Sequence, residues 1–279
     1  MPRGDPTVHT WPVSPSEQAG TGTGAGVTPG TCGVVFDTDG VLLDSASLHA
    51  AAWKVAFDHC IEKLRPGDPR QPPFDANAEY RRLVDGKARL DGARAFLQDR
   101  GIVLPLGASD DPPGCTSIWA VATRKEQAFT HMLSTRTVPV FDDVAPALRS
   151  LRAKRIRCAA ASASRHAGVL LEAAGILGLF DTVVDGRDLA RLGLPGKPNP
   201  ALFLEAVSRL GLGPAQAAVV EDAEAGVAAA RRGGFGLVVG LDRTADADRS
   251  AALHTRGADL VMHGLAALLD EVKVWTERP

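Results

Sequence analysis

The apolar positions of this chain change rhythm along its length. Residues 33–36, Gly-Val-Val-Phe, form a short unbroken apolar run that ends at Asp37. A run this short, with no polar alternation, predicts a strand buried on both faces. Helical spacing follows: Trp53, Ala56, Phe57 and Cys60 stand at i, i+3, i+4 and i+7, which predicts an amphipathic helix. The proline-rich stretch 65–74 predicts a loop. A second helix is expected over 89–100, ended by Gly101. A second loop spans 105–116, around Asp111-Pro112-Pro113-Gly114. A third helix is expected over 118–133, where Ile118, Val121, Ala122, Phe129, Met132 and Leu133 make an apolar stripe.

From Val138 strands and helices alternate. The runs Cys158-Ala159-Ala160-Ala161, Thr182-Val183-Val184, Ala217-Ala218-Val219-Val220 and Leu237-Val238-Val239 predict four more strands. Helical stretches at 145–153, 165–174, 201–210 and 223–232 fall between or beside them. This alternation argues a parallel sheet covered by helices on both faces. The first strand belongs in that sheet, so the expected fold is α/β: a doubly wound, Rossmann-like parallel core with an inserted α-helical cap. The expected boundaries are a disordered tail over 1–30, a core over 31–45 and 139–279, and a cap over 46–138. The tail assignment rests on its Gly, Pro, Thr and Ser content and its lack of periodicity. Residues 41–45 and 138–139 are the expected crossings between core and cap.

Composition narrows the function classes. A net charge of −2 gives no basic footprint for nucleic acid or an anionic membrane, so neither is an expected partner. The four cysteines, Cys32, Cys60, Cys115 and Cys158, form no CxxC pair, which argues for reduced thiols rather than a zinc site or disulfide framework. With no apolar run long enough to span a bilayer and no signal-peptide stretch at the start, a cytoplasmic protein is expected. A monomer or weak dimer is expected.

Ligands of a doubly wound sheet bind beyond the carboxyl ends of its strands. The polar residues at those ends are Asp37, Ser162 and Glu221-Asp222. In Asp37-Thr38-Asp39-Gly40, one carboxylate can attack phosphorus while the other moves protons, and Gly40 lets the chain turn. Asp-x-Asp-Gly on its own also reads as a simple turn. Two close carboxylates repel, and a divalent cation relieves this. Hard oxygen donors suit Mg²⁺, with Glu221 and Asp222 completing its coordination. In Ser162-Ala163-Ser164-Arg165 a hydroxyl between strand and helix can hold a phosphate oxygen, although Ser164 also reads as a helix cap. In Gly196-Lys197-Pro198-Asn199-Pro200 two prolines restrict the backbone around a lysine that can pair with phosphate. Lys125 lies on the apolar stripe of its helix, so it either snorkels along the core edge or reaches a ligand.

These motifs, in this order, resemble the haloacid dehalogenase-like superfamily of phosphotransferases over roughly residues 33–270. The resemblance implies that Asp37 forms a phospho-aspartate and Asp39 is the general acid and base. It implies that Ser162 and Lys197 hold the transferring phosphoryl group. Asp37, the Asp39 carbonyl and Asp222 would bind Mg²⁺, with Glu221 ligating or supporting. Within the superfamily the chain is most similar to the β-phosphoglucomutases. His49 and Trp53 match their spacing after the first motif, which implies that His49 positions Asp39 and couples it to cap closure. Asp85-Gly86-Lys87-Ala88-Arg89 resembles their cap loop, which implies that Arg89 grips the distal phosphate, with Lys125, Trp53, Ser164 and Arg165 also facing substrate. The implied reaction converts β-glucose 1-phosphate to glucose 6-phosphate through β-glucose 1,6-bisphosphate, which also primes Asp37. A small phosphorylated sugar is thus the expected partner. The pattern is broken where His166 replaces the usual asparagine and Arg165 the common lysine. A sugar-phosphate phosphatase (trehalose or hexose phosphate) would share every core residue. A non-catalytic binding protein on this scaffold would be expected to have lost Asp37, Asp39 or Lys197.

Overall fold

The computed structural model describes residues 32–276, with the side chains of 274–276 left aside. The expected tail at 1–30 lies outside the described residues. In chain order the elements are β1 (Gly33–Asp37), α1 (Ala46–Leu64), α2 (Arg89–Asp99), α3 (Ile118–Leu133), α4 (Val144–Ala153) and β2 (Arg157–Ala161). They continue with α5 (Ala167–Ala173), β3 (Thr182–Val184), α6 (Gly186–Leu192), α7 (Ala201–Arg209) and β4 (Ala217–Glu221). The last are α8 (Glu224–Arg232), β5 (Leu237–Leu241), α9 (Ala247–Arg256), β6 (Leu260–Met262) and α10 (Leu268–Thr276).

The six strands form one parallel sheet in the order β3-β2-β1-β4-β5-β6. All five residues of β1 are buried, as a central strand covered on both faces requires. Helices cover the two faces with two separate apolar clusters. Phe36, Leu148, Leu171 and Leu268 belong to one, and Val35, Phe203, Val207 and Val227 to the other. From β1 the chain winds outward through β2 and β3, then returns to place β4 on the other side of β1. The crevice between the carboxyl ends of β1 and β4 is therefore the topological switch point of the sheet.

Between β1 and α4 the chain builds a helical layer with an aromatic core of its own. Phe57 stacks between Trp53 and Phe96, at ring-centroid distances of 4.7 Å and 3.8 Å, and Phe74 closes edge-on against both Phe57 and Phe96. Burying each such ring is worth roughly 1.5–3 kcal/mol, enough to organise a layer that the sheet does not cover. The stretch joining the second half of this layer is a π-helical turn at Tyr80–Val84, where Asp85 N–H reaches back to the Tyr80 carbonyl. The two crossings between layer and core pair with each other: Leu43 and Val140 form an antiparallel bridge, and Asp44 N–H donates to the Pro139 carbonyl. Arg243 staples this crossing by donating to the Val41 carbonyl and to Asp143.

Five strands and six helices fall at or within three residues of their expected places, and the stripe from Trp53 to Cys60 lies inside the longer helix α1. The helix expected over 165–174 is trimmed at its start because Ser164–His166 turn before it, with the His166 N–H donating to Ser164 Oγ. Helices α6, α9 and α10 and strand β6 were not foreseen. Helix α9 has one buried side chain, Leu253, so it has no apolar stripe to read. Among the described residues no helix is long and apolar enough to cross a membrane.

Candidate active site

A cavity of about 340 Å³ lies between the carboxyl ends of the strands and the helical layer. Asp37 ends β1, and Glu221 ends β4 beside it; Asp222 follows. One oxygen from each of Asp37, Glu221 and Asp222 lies within 4.8 Å of the others, all three residues being buried. Two glycines make room for this crowding. At Gly40 (φ +83°) a Cβ would collide with the Asp222 carboxylate, and at Gly226 with that of Glu221.

Lys197, 1% exposed, sits against this cluster and donates to Asp37 Oδ1 at 2.5 Å and to Glu221 Oε2 at 2.6 Å. Its peptide to Pro198 is cis. The two carboxylates raise the Lys197 pKa against the opposing effect of burial, so the ammonium stays charged. Burial, then Glu221, pushes the Asp37 carboxyl well up, and Lys197 pulls it back. Burial, Asp85 and Glu221 push Asp222 up likewise, opposed by Arg249. Three buried carboxylates facing only two cations, with hard oxygen donors converging, are a donor set that fits Mg²⁺.

Asp39 is held on three sides. Ser45 Oγ donates to Oδ1 at 2.5 Å, Ser162 Oγ donates to Oδ2 at 3.1 Å, and His49 Nε2 lies 3.3 Å from Oδ1, off the line of a full hydrogen bond. Burial would raise the Asp39 pKa, but the neighbouring His49 and the hydrogen bonds from Ser45 and Ser162 hold it well below the usual carboxylate range. Behind His49 stands Lys125, its Nζ 3.0 Å from Nδ1. An ammonium only donates, so Nδ1 accepts and the ring proton sits on Nε2, facing Asp39. Burial brings Lys125 down to about 8, and burial with Lys125 lowers His49. Phe129 stacks on the His49 ring at 4.1 Å and lies under Lys125 Nζ at 4.3 Å.

At the cap end, Arg89 opens α2 and pairs with Glu126 of α3 at 2.8 Å. The other Glu126 oxygen lies 2.7 Å from His166 Nε2, across the boundary between cap and core. Ser164, Arg165, Trp53 and Arg89 all line the cavity.

Each residue singled out from the sequence thus lies in or against one cavity, but three are engaged differently from expectation. Lys125, read as facing substrate, has its amino group on His49. Ser162, read as facing phosphate, donates to Asp39. Arg89, read as a free phosphate grip, is paired with Glu126. The sequence reading missed Ser45, Tyr80, Glu126 and Arg249. Arg249 donates to Asp222 Oδ2 at 2.9 Å and to its carbonyl at 3.1 Å. Asp85, quoted only within the cap loop, faces the same cluster; burial lifts it to about 6, with Tyr80 hydrogen-bonded to it. Glu126 had one readable signal: it adjoins Lys125, the inward lysine. Arg249 had none, because its helix is mostly polar and buries a single side chain, Leu253.

A family model described as haloacid dehalogenase-like hydrolase matches residues 33–234. The chain is 40% identical over 236 residues to a β-phosphoglucomutase of Mycobacterium bovis, covering 84% of this chain and 90% of that protein. It is 28% identical over 209 residues to the fructose-1-phosphate phosphatase YqaB of Escherichia coli, covering 74% and 94%. Its fold matches the crystal structure of β-phosphoglucomutase from Clostridium difficile with a TM-score of 0.69 at 20% identity, covering 88% and 97%.

Proposed function

This chain belongs to the haloacid dehalogenase-like hydrolase family, and we propose that it is the enzyme interconverting β-glucose 1-phosphate and glucose 6-phosphate through β-glucose 1,6-bisphosphate. The observation that carries this reading is a cavity with a cationic group at each end: Lys197 beside Asp37 in the core, and Arg89 with Arg165 toward the cap. A bisphosphate needs two anchors, and the reaction needs either phosphate to reach Asp37. The likeness to the Mycobacterium bovis mutase supports the same choice.

In this mechanism Asp37 starts phosphorylated. The sugar's 6-hydroxyl attacks the phosphorus, Asp39 takes its proton, and the bond from Asp37 oxygen to phosphorus breaks. The bisphosphate turns over and places its C1 phosphate at Asp37. The Asp37 carboxylate then attacks that phosphorus while Asp39 returns the proton to the leaving C1 oxygen, giving glucose 6-phosphate and phospho-Asp37. Lys197 holds charge against the transferring group throughout. His49, with its Nε2 proton fixed by Lys125, holds Asp39 in place in the ionised form that takes the first proton. Asp37, Glu221, Asp222 and the Asp39 carbonyl would hold Mg²⁺, which neutralises phosphate charge during transfer.

A second reading has a specific observation behind it. A phosphatase needs one phosphate anchor, and Arg89 is already satisfied by Glu126. The test gives the protein Mg²⁺, β-glucose 1-phosphate and a trace of glucose 1,6-bisphosphate, and follows glucose 6-phosphate and inorganic phosphate together. Glucose 6-phosphate without matching phosphate release is the expected result. Phosphate release alone would make the chain a phosphatase.

A further inference from the structure

We propose that Glu126 is an internal anion that occupies the distal phosphate grip of the empty enzyme and must yield Arg89 when a phosphorylated ligand binds there. The proposal rests on the reading of Arg89 as the distal grip and deepens it. Glu126 splits its two oxygens between two partners from different parts of the chain: Oε2 to Arg89 at 2.8 Å in the cap, Oε1 to His166 Nε2 at 2.7 Å in the core. All three side chains are partly exposed, at 27%, 18% and 20%, so a ligand in the cavity can reach them. Glu126 and Arg89 both line that cavity.

The chemistry makes the carboxylate a competitor. A guanidinium offers a fork that a carboxylate or a phosphate can fill, and a dianionic phosphate brings more charge to it than Glu126 does. A neutral sugar hydroxyl brings less, so it leaves the pair intact. The pair therefore sets a threshold: ligands ending in a phosphate open it and ligands ending in a hydroxyl do not. The same carboxylate joins cap to core through His166, so freeing Arg89 leaves Glu126 one partner across the boundary.

The test is a calorimetric titration of the full chain with inorganic phosphate, with Mg²⁺ present, comparing the natural sequence, Glu126→Gln, Arg89→Ala and the double variant. Removing the competing charge is expected to tighten phosphate binding about two- to fivefold, the range of a partly exposed ion pair. In the Arg89→Ala background Glu126→Gln is expected to change nothing, and this comparison subtracts any phosphate bound beside Lys197. His166→Asn weakens the partner that Glu126 keeps when Arg89 leaves, so this second variant should shift affinity the opposite way, toward weaker phosphate binding, by a smaller factor. Unchanged or weaker binding in Glu126→Gln overturns the proposal, as does an equal gain with Arg89 absent. None of these titrations depends on turnover. A chain that proves to be a phosphatase leaves this result standing, and a mutase that fails this titration keeps its activity.

Discussion

The two ends of the cavity hold their charges in different ways. At the core end, Asp37 and Glu221 close two neighbouring buried strands, and the one lysine they share is 1% exposed. Their positions follow from sheet register, and water has little access to loosen them. At the cap end, Arg89, Glu126 and His166 reach from helix faces and a turn on long side chains, each about a fifth to a quarter exposed. Contacts of the first kind are preorganised; contacts of the second kind can be exchanged for a ligand's. A site that must hold reacting atoms still while a substrate turns over uses the first at the chemistry and the second at the distal grip.

The largest effect expected from breaking the core end is Asp37→Asn. Phosphoryl transfer should fall at least about 10³-fold with the fold unchanged, since the neutral amide cannot accept the phosphoryl group. Intact-mass measurement after acid quench would check this: the natural protein gains a phosphate from the bisphosphate and the variant does not.

The contrast itself is tested by removing one cation from each end. Lys197→Met leaves Asp37 and Glu221 buried without their shared partner, and the loss of stability should be about 3–5 kcal/mol. Arg89→Met removes a cation from a partly exposed pair and should cost under about 1 kcal/mol. Urea unfolding of both variants measures the difference. Equal costs would mean that the two ends are built alike.

Legibility from the sequence follows the same division. Asp37, Ser162 and Glu221-Asp222 could be read because each ends an apolar run, and the sheet's topology brings such ends together whatever the details of packing. The helix over 118–133 was also legible from its stripe, including the inward direction of Lys125. Its partner was not, because contact between α3 and α1 depends on how two helices dock, which no spacing encodes. The ion pair of Glu126 with His166 lies further beyond reach, since it spans 40 residues and two layers. Arg249 shows the limit case: its contact with Asp222 comes from a polar helix with one buried residue.

Lys125 sharpens the comparison, since it is buried like a core-end residue yet belongs to the cap. Its Nζ fixes the proton of His49 on the nitrogen facing Asp39. Lys125→Met keeps the apolar stem and removes the donor. The expected result is a kcat lower by about ten- to a hundredfold, through misplaced proton transfer, with KM little changed. A rise in KM at constant kcat would instead make Lys125 a phosphate ligand, as the sequence alone suggested.

The smallest effect concerns Glu126 and acid. Burial would raise its pKa, but the His166 hydrogen bond and the charges of Arg89 and Lys125 bring it from 4.5 down to about 2. A carboxyl whose folded pKa lies below its unfolded value adds stability above the unfolded pKa and loses it as pH falls toward the folded one. The Glu126 contribution is therefore complete above about pH 5 and fades between about 4.5 and 2. Solvent access at the cap end limits it to about 1 kcal/mol. Urea midpoints of the natural protein and Glu126→Gln, taken from pH 7 down to the lowest pH at which both fold, should differ by a constant amount in the neutral range. That gap should narrow as the acid range is entered. A gap that stays constant through acid would mean that the carboxylate gains nothing from its two cations when folded, and the cap end would then lack the exchangeable charge that sets it apart from the core.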